Sequence, residues 1–183
     1  MSNASDPFVP LISHWKALRR PRARRVASSV PTAPLAKATV EFESGAVGTL
    51  EATRLALGRR NSFQLEINGT KGSLYFDMER LNELQVFKTG DPRTRGFTNV
   101  LVSETTHPFW EHWWPPGHIV GWGDTFVHEL HHFLTAIAED GDVAPHGATF
   151  EDGYRAAEIC DAIVRSGESG RREAIVYRTL SAH

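Results

Sequence analysis

The sequence predicts an α+β domain: a mostly antiparallel, open sheet of six or more strands with two main helices packed on one face. Three observations predict it. Between Gly45 and Phe87, short runs alternate apolar and polar residues and break at Asn68-Gly69 and Lys71-Gly72, the pattern of antiparallel strands joined by tight turns. Between Asp124 and Gly141, and again between Thr149 and Gly170, apolar residues return at helical spacing. No βαβ unit is evident, so both helices are assigned to one face of an antiparallel layer.

The elements follow in order. Residues 1–35 hold six of the chain's 20 basic side chains and one of its 22 acidic ones, and Pro21, Pro31 and Pro34 argue against a long helix or strand before Ala36. This segment is read as a basic, partly disordered leader or linker. Clustered arginines can bind phosphate, but few aromatic residues accompany them and the remainder is acidic, so a solvated leader is preferred and no nucleic acid is expected. Residues 36–183 form the predicted domain. Ala38, Val40 and Phe42 alternate with Thr39, Glu41 and Glu43, and Ser44-Gly45 turns the chain. Val47, Thr49, Glu51 and Thr53 then fall on one side of a pleat, with Leu50, Ala52 and Arg54 on the other. Phe63, Leu65 and Ile67 open the next hairpin. Glu83–Phe87 and Val100–Val102 are further extended runs, and Ala174–Tyr177 is a closing one.

In the first helix Phe126, Leu130, Phe133, Leu134 and Ile137 make one apolar stripe, with Asp124 at its start and Gly141 at its end. In the second, Thr149 and Asp152 are spaced as a capping box, Ala156, Ala157, Cys160, Ile163 and Val164 form the stripe, and Gly167 and Gly170 stop it. Cys160 is therefore expected to pack rather than react.

Composition narrows the class. A chain of 183 residues, 40% hydrophobic and 23% charged, can bury one good core and is short for two enzyme domains. A single cysteine excludes an internal disulfide. No apolar run is long enough to span a membrane and no signal peptide opens the chain. A cytoplasmic protein is the expectation.

From His107 to Trp122 the chain reads HPFWEHWWPPGHIVGW, with four of its five tryptophans and three histidines. Pro115-Pro116-Gly117 cannot sit inside a helix or a central strand, so these rings ride on a structured loop. Rings beside a few polar groups suit a polyhydroxylated small molecule: the faces cover C–H groups and the imidazoles bond hydroxyls. Trp114, His118 and Trp122 are the candidate substrate contacts, and Arg54 could reach the site from the sheet. The same rings would also serve to cover the end of the core or a subunit interface, and Arg54 a surface salt bridge.

The run Gly-Thr-Leu-Glu-Ala-Thr-Arg (48–54), then Glu-Ile-Asn-Gly-Thr-Lys-Gly-Ser-Leu (66–74), then Phe-Asp (76–77) resembles the C-terminal domain of the glucose-fructose oxidoreductase and inositol dehydrogenase family (Gfo/Idh/MocA). The resemblance continues through Trp-Trp-Pro-Pro-Gly-His (113–118) and the helix Phe-Glu-Asp-Gly-Tyr-Arg-Ala-Ala-Glu-Ile-Cys-Asp-Ala-Ile-Val-Arg-Ser (150–166). It implies a substrate-binding and oligomerisation domain of an NAD(P)-dependent oxidoreductase acting on a sugar, cyclitol or related polyol. It also implies NAD or NADP for the full-length parent, and self-association through the open sheet face. No Gly-x-Gly-x-x-Gly lies between a strand and a helix. The N-terminal Rossmann domain is thus expected to be absent, the chain inactive alone, and the cofactor not bound by it.

One competing motif remains. His128-Glu129-x-x-His132 satisfies the zincin pattern, with Glu151 available as a third ligand, and would make a zinc-dependent hydrolase. Six of the nine histidines fall between 107 and 132, so a chance match is easy. At 100° per residue His128 and His132 lie opposite the Phe126/Leu130/Ile137 stripe, and a solvated histidine face is preferred. A non-catalytic binding domain is the third alternative.

Overall fold

The computed structural model describes residues 22–28, 35–90 and 95–178. Among the described residues, eight strands and two long helices fall into two compact units, divided at residues 57/58 and 135/136, the outer two segments making the first unit and the middle segment the second. The strands divide into two four-stranded antiparallel sheets.

The first unit holds β1 (Ala23–Ser28), β2 (Leu35–Phe42), β3 (Val47–Thr53) and β8 (Glu173–Ala174), in the order β3-β2-β1-β8. Strand β1 corrects the expectation of an irregular chain before Ala36. Its apolar residues Ala23 and Val26 are three apart, which hides the period of two. Pairing slips between Ala23 and Arg25, with Ala23 opposite Phe42 and Arg25 opposite Glu41. A bulge of this kind lets both arginines, 24 and 25, face solvent while Ala23 and Val26 point inward.

Strands β2 and β3 join through a tight turn closed by Gly45 N–H to Phe42 O at 3.0 Å, and Gly45 takes φ 83°, which costs a residue without Cβ little. The register sets Lys37, Thr39 and Glu41 opposite Glu51, Thr49 and Val47, so the pleat predicted for β3 is the one observed. That face is polar, with Lys37–Glu51 paired at 3.1 Å and Arg172–Glu41 at 3.7 Å. The opposite face holds the core: Ala23, Val26, Ala38, Val40, Ala162 and Ile175, bordered by Phe42, Ile159, Ile163 and Tyr177.

The two helices are α1 (Trp122–Ala138) and α2 (Phe150–Ser169). Helix α2 supplies Ile159, Ala162 and Ile163 to that core. Its N-terminus carries the expected capping box: Thr149 Oγ1 accepts from the Asp152 amide at 3.3 Å, and Asp152 Oδ2 accepts from the Thr149 amide at 2.9 Å. Its stripe is rotated from the predicted one. Ala156, Ala157, Cys160 and Val164 are exposed, and Ala162 and Ser166 are the fully buried residues. Ser166 donates to the Arg171 carbonyl at 2.6 Å, so a polar residue is satisfied inside the buried stripe. Counting only apolar residues left Ser166 out and placed the stripe about one residue off. Gly167 lies within α2, which ends at Gly170 with φ 63°. The closing strand is shorter than predicted, two residues, continued by Ile175 N–H to Arg24 O at 3.1 Å.

The second unit is an up-and-down meander: β4 (Gln64–Gly69), β5 (Gly72–Asp77), β6 (Glu83–Lys88) and β7 (Thr98–Leu101), adjacent in that order. Register places Leu65, Phe76, Leu84 and Val100 across one face, beside Ile67, Leu74 and Val86. The other face is a polar ladder, with Gln64 to Asp77 at 3.1 Å, Ser73 to Asn68 at 2.6 Å and Gln85 to Asn99 at 3.0 Å. At Gly72 φ is 153°, and an added Cβ would lie 2.1 Å from the Phe87 carbonyl oxygen. Close approach of β6 is what demands glycine there.

Candidate functional site: an aromatic loop anchored on Asn82

The loop from Phe109 to Gly121 belongs to the second unit and is built in two parts. The first is a 3-10 turn, Trp110–His112, entered through Phe109 at φ 64° and closed by Trp113 N–H to Trp110 O at 3.0 Å. That turn lays Phe109 and Trp113 against α1. The Trp113 and His128 rings have centroids 4.1 Å apart, Phe109 and His128 5.1 Å, and Phe109 and His132 6.2 Å edge-on. His112 lies 5.2 Å from His131.

The second part presents two of the predicted contacts together. Pro115–Gly117 reverses the chain with Gly117 at φ 94°, His118 Nδ1 lies 2.7 Å from the Pro115 carbonyl, and the Trp114 and His118 rings stand 6.0 Å apart at 31°. Trp114 is 72% exposed. An indole face and an imidazole thus stand open to solvent on a turn whose own hydrogen bond orients the histidine ring. This combination can cover a C–H face and bond a hydroxyl.

Trp122 is the first residue of α1 and packs edge-on against Phe126 at 5.4 Å. Arg54 is an exposed residue at the bend after β3, in the first unit. A concavity of about 280 Å³ on the polar face of the first sheet is lined by Arg25, Thr39, Glu41, Val47 and Arg172 among others, and by none of the predicted contacts.

What fixes the loop is Asn82, which sequence reasoning missed. It sits between a 3-10 turn (Met78–Arg80) and β6. Its Nδ2 donates to the Val120 carbonyl at 2.8 Å, and its Oδ1 accepts from the Val120 amide at 2.8 Å. Val120 and Gly121 are half-buried, whereas residues 114–119 are exposed. Helix α1 starts immediately afterward, with Asp124 Oδ2 accepting from the Gly121 amide at 2.7 Å. Asp124 thus serves the cap from inside the helix. At the other end Gly141 N–H reaches the Ala136 carbonyl at 2.7 Å, as a helix stop requires.

The histidine face of α1 is reversed from expectation. His128 and His132 are half-buried against the Phe109 and Trp113 rings, while Phe126, Leu130, Phe133, Leu134 and Ile137 are 48–62% exposed. The loop supplies rings to the imidazoles, a tertiary contact that helical counting does not register. Burial lowers the His128 pKa from the usual 6.5, the nearby His112 and His131 lower it further, and Asp124 opposes them. Its Nε2 is buried without a hydrogen-bond partner, which favours the neutral ring. The two histidines of the zincin pattern are therefore engaged in ring packing. Among the described residues no three potential ligands cluster to hold a metal, and no helix is long and apolar enough to cross a membrane.

The profile of an oxidoreductase family's C-terminal alpha/beta domain, that of Gfo/Idh/MocA, matches residues 13–175. The chain belongs to this family. It is 47% identical over 129 residues to a levoglucosan dehydrogenase of Pseudarthrobacter phenanthrenivorans, a match covering 69% of this chain and 32% of that protein. Among solved structures, an oxidoreductase domain protein from Kribbella flavida superposes with a TM-score of 0.79 at 34% identity, over 94% of this chain and 49% of that one. A levoglucosan dehydrogenase in complex with NADH and levoglucosan superposes at 0.77 and 37% identity, over 86% and 46%. The chain spans about half the length of these solved relatives, and the family domain it carries is the C-terminal one.

Proposed function

We propose that this chain is the substrate-facing and oligomerisation half of an NAD(P)-dependent oxidoreductase acting on a sugar, cyclitol or related polyol, and that it is inactive alone. The observation that carries the reading is the exposed Trp114–His118 pair in a domain whose relatives include a dehydrogenase crystallised with levoglucosan. A polyol presents alternating C–H faces and hydroxyls. Trp114 offers the first a flat apolar surface, and His118 offers the second a donor or acceptor. Trp122, at the start of α1, is the third proposed contact in the second unit, and Arg54, at the end of β3, is a proposed contact carried by the first unit.

NAD or NADP is assigned to the other half of the parent. The reading is supported by the sequence, in which no Gly-x-Gly-x-x-Gly lies between a strand and a helix to cradle a pyrophosphate. When bound to the parent, the nicotinamide supplies hydride chemistry. This chain's residues bind and orient the polyol, since transfer requires the carbinol carbon to be held in near-attack geometry. Self-association is assigned to the polar face of the first sheet, and the cytoplasm is the proposed location.

Levoglucosan and myo-inositol titrated into the chain under tryptophan fluorescence test the reading. A weak, saturable change is expected that disappears in Trp114→Ala and weakens in His118→Ala. NADH, followed by its own fluorescence, is expected not to bind. Tight NADH binding to the chain alone, or no response to any polyol at high millimolar concentration, would overturn it.

A further inference from the structure

We infer that Asn82 is a positioning residue that sets where the Trp114–His118 turn stands. The inference deepens the proposed function and rests on its assignment of that turn to substrate. Residues 114–119 are exposed, and the described hydrogen bonds of the Pro115–His118 turn are internal to it, His118 to the Pro115 carbonyl. Such a turn has a defined shape, and its place is set at its two ends: upstream by Trp113 packed on His128 of α1, and downstream at Val120, two residues beyond His118, where the chain is held by polar contacts.

There Asn82 makes the pair of bonds that a neighbouring strand would make. One amide group donates to the Val120 carbonyl and accepts from the Val120 amide, each at 2.8 Å and across 38 residues of sequence. Two parallel bonds from one planar group fix direction as well as distance, which one bond cannot. Asn82 is itself held: its own carbonyl accepts from the Val102 amide at 3.0 Å, so the clamp is tied to the chain just beyond β7 as well as to the start of β6. The side-chain orientation is unambiguous, because only Nδ2 can serve the carbonyl and only Oδ1 the amide.

This chemistry singles out asparagine. Aspartate at this position keeps the acceptor for the Val120 amide but turns a second carboxylate oxygen toward the Val120 carbonyl, lone pairs facing lone pairs. When protonated, its hydroxyl donates to that carbonyl and the asparagine pattern returns. A half-buried carboxyl facing a carbonyl favours its neutral form and titrates above the usual aspartate value of about 3.9.

The test is backbone hydrogen exchange across residues 118–121 in the 183-residue chain, for wild type, Asn82→Ala and Asn82→Asp. Each rate is taken relative to wild type at the same pH, which cancels the titration of the loop's histidines. Asn82→Ala is expected to exchange about tenfold to a hundredfold faster at every pH, as the loss of two hydrogen bonds implies. Asn82→Asp is expected to exchange faster than wild type near pH 8, where one bond is kept and the other is replaced by lone-pair repulsion, and to return toward wild type near pH 4, a rescue that loss of general packing does not produce. Unchanged exchange at Val120 in Asn82→Ala, or an Asn82→Asp ratio independent of pH, overturns the inference. Levoglucosan affinity separates the two layers: a wild-type chain that binds no sugar while the exchange pattern holds sinks the substrate assignment and leaves the clamp standing.

Discussion

His128 is where ring packing and proton chemistry meet. Its imidazole lies 4.1 Å from the Trp113 ring and 5.1 Å from the Phe109 ring. Burial, with His112 and His131 nearby, lowers its pKa from 6.5 while Asp124 acts the other way. A group whose folded pKa is depressed binds its proton more readily in the unfolded chain, so its contribution to stability is present above pH 6.5 and lost as pH falls below that value. The Trp113–His128 contact is therefore expected to loosen on acidification. Near-UV circular dichroism from pH 8 to about pH 5 is expected to lose tryptophan signal, and His128→Phe, which keeps a ring without a proton to bind, is expected to flatten that profile. A wild-type signal constant through the range would remove His128 as the cause. At the same scale the sequence offers Trp114, His118, Trp122 and Arg54 as candidate contacts, and the structure places the Trp114 and His118 rings 6.0 Å apart. Sequence reasoning gave Asn82 no weight, because one asparagine before a strand looks like any other until Val120 is brought to it.

At the scale of elements, the strands were legible and the helix faces were not. Alternation in Lys37–Glu41 and Val47–Glu51 fixes which side chains share a face, because the pleat period is two whatever the surroundings. Strand β1 escaped because its bulge puts Ala23 and Val26 three apart. In α1 the apolar stripe from Phe126 to Ile137 reads as core, yet those residues are about half exposed, while α2 seats Ala162 with no exposed surface. Substitution distinguishes the two. Phe133→Ser is expected to change stability of the chain by no more than about 0.5 kcal/mol, as for a surface site. Ala162→Leu is expected to cost about 1–3 kcal/mol through overpacking. Urea unfolding measures both; a loss of more than about 3 kcal/mol in Phe133→Ser, the scale of a buried Phe truncation, would mean that the stripe is buried after all.

For the whole molecule, the first sheet has an apolar face covered by α2 and a polar one carrying Lys37–Glu51 and Arg172–Glu41. Proposed self-association through the polar face would bring charged rungs together, so it should weaken with salt, since exposed charges are screened beyond about 8–10 Å at moderate ionic strength. Sedimentation at micromolar concentration is expected to show a dimer or larger species at low salt that shifts toward monomer at high salt. A monomer at all salt concentrations would count against it.

Local physics carried the sequence a long way. Turn glycines, pleat periodicity, the Thr149–Asp152 cap and the order of family-like segments need only neighbours along the chain, and they determined the α+β class, seven of the eight strands in outline and the family. Tertiary structure alone decided three things: which face of α1 is covered, which residues of α2 enter the core, and what holds the aromatic loop. Each depends on groups far apart in sequence, Phe109 with His132, Ala162 with Val26 and Val40, Asn82 with Val120. A helical wheel or a hydropathy count contains no information about which distant atom will arrive.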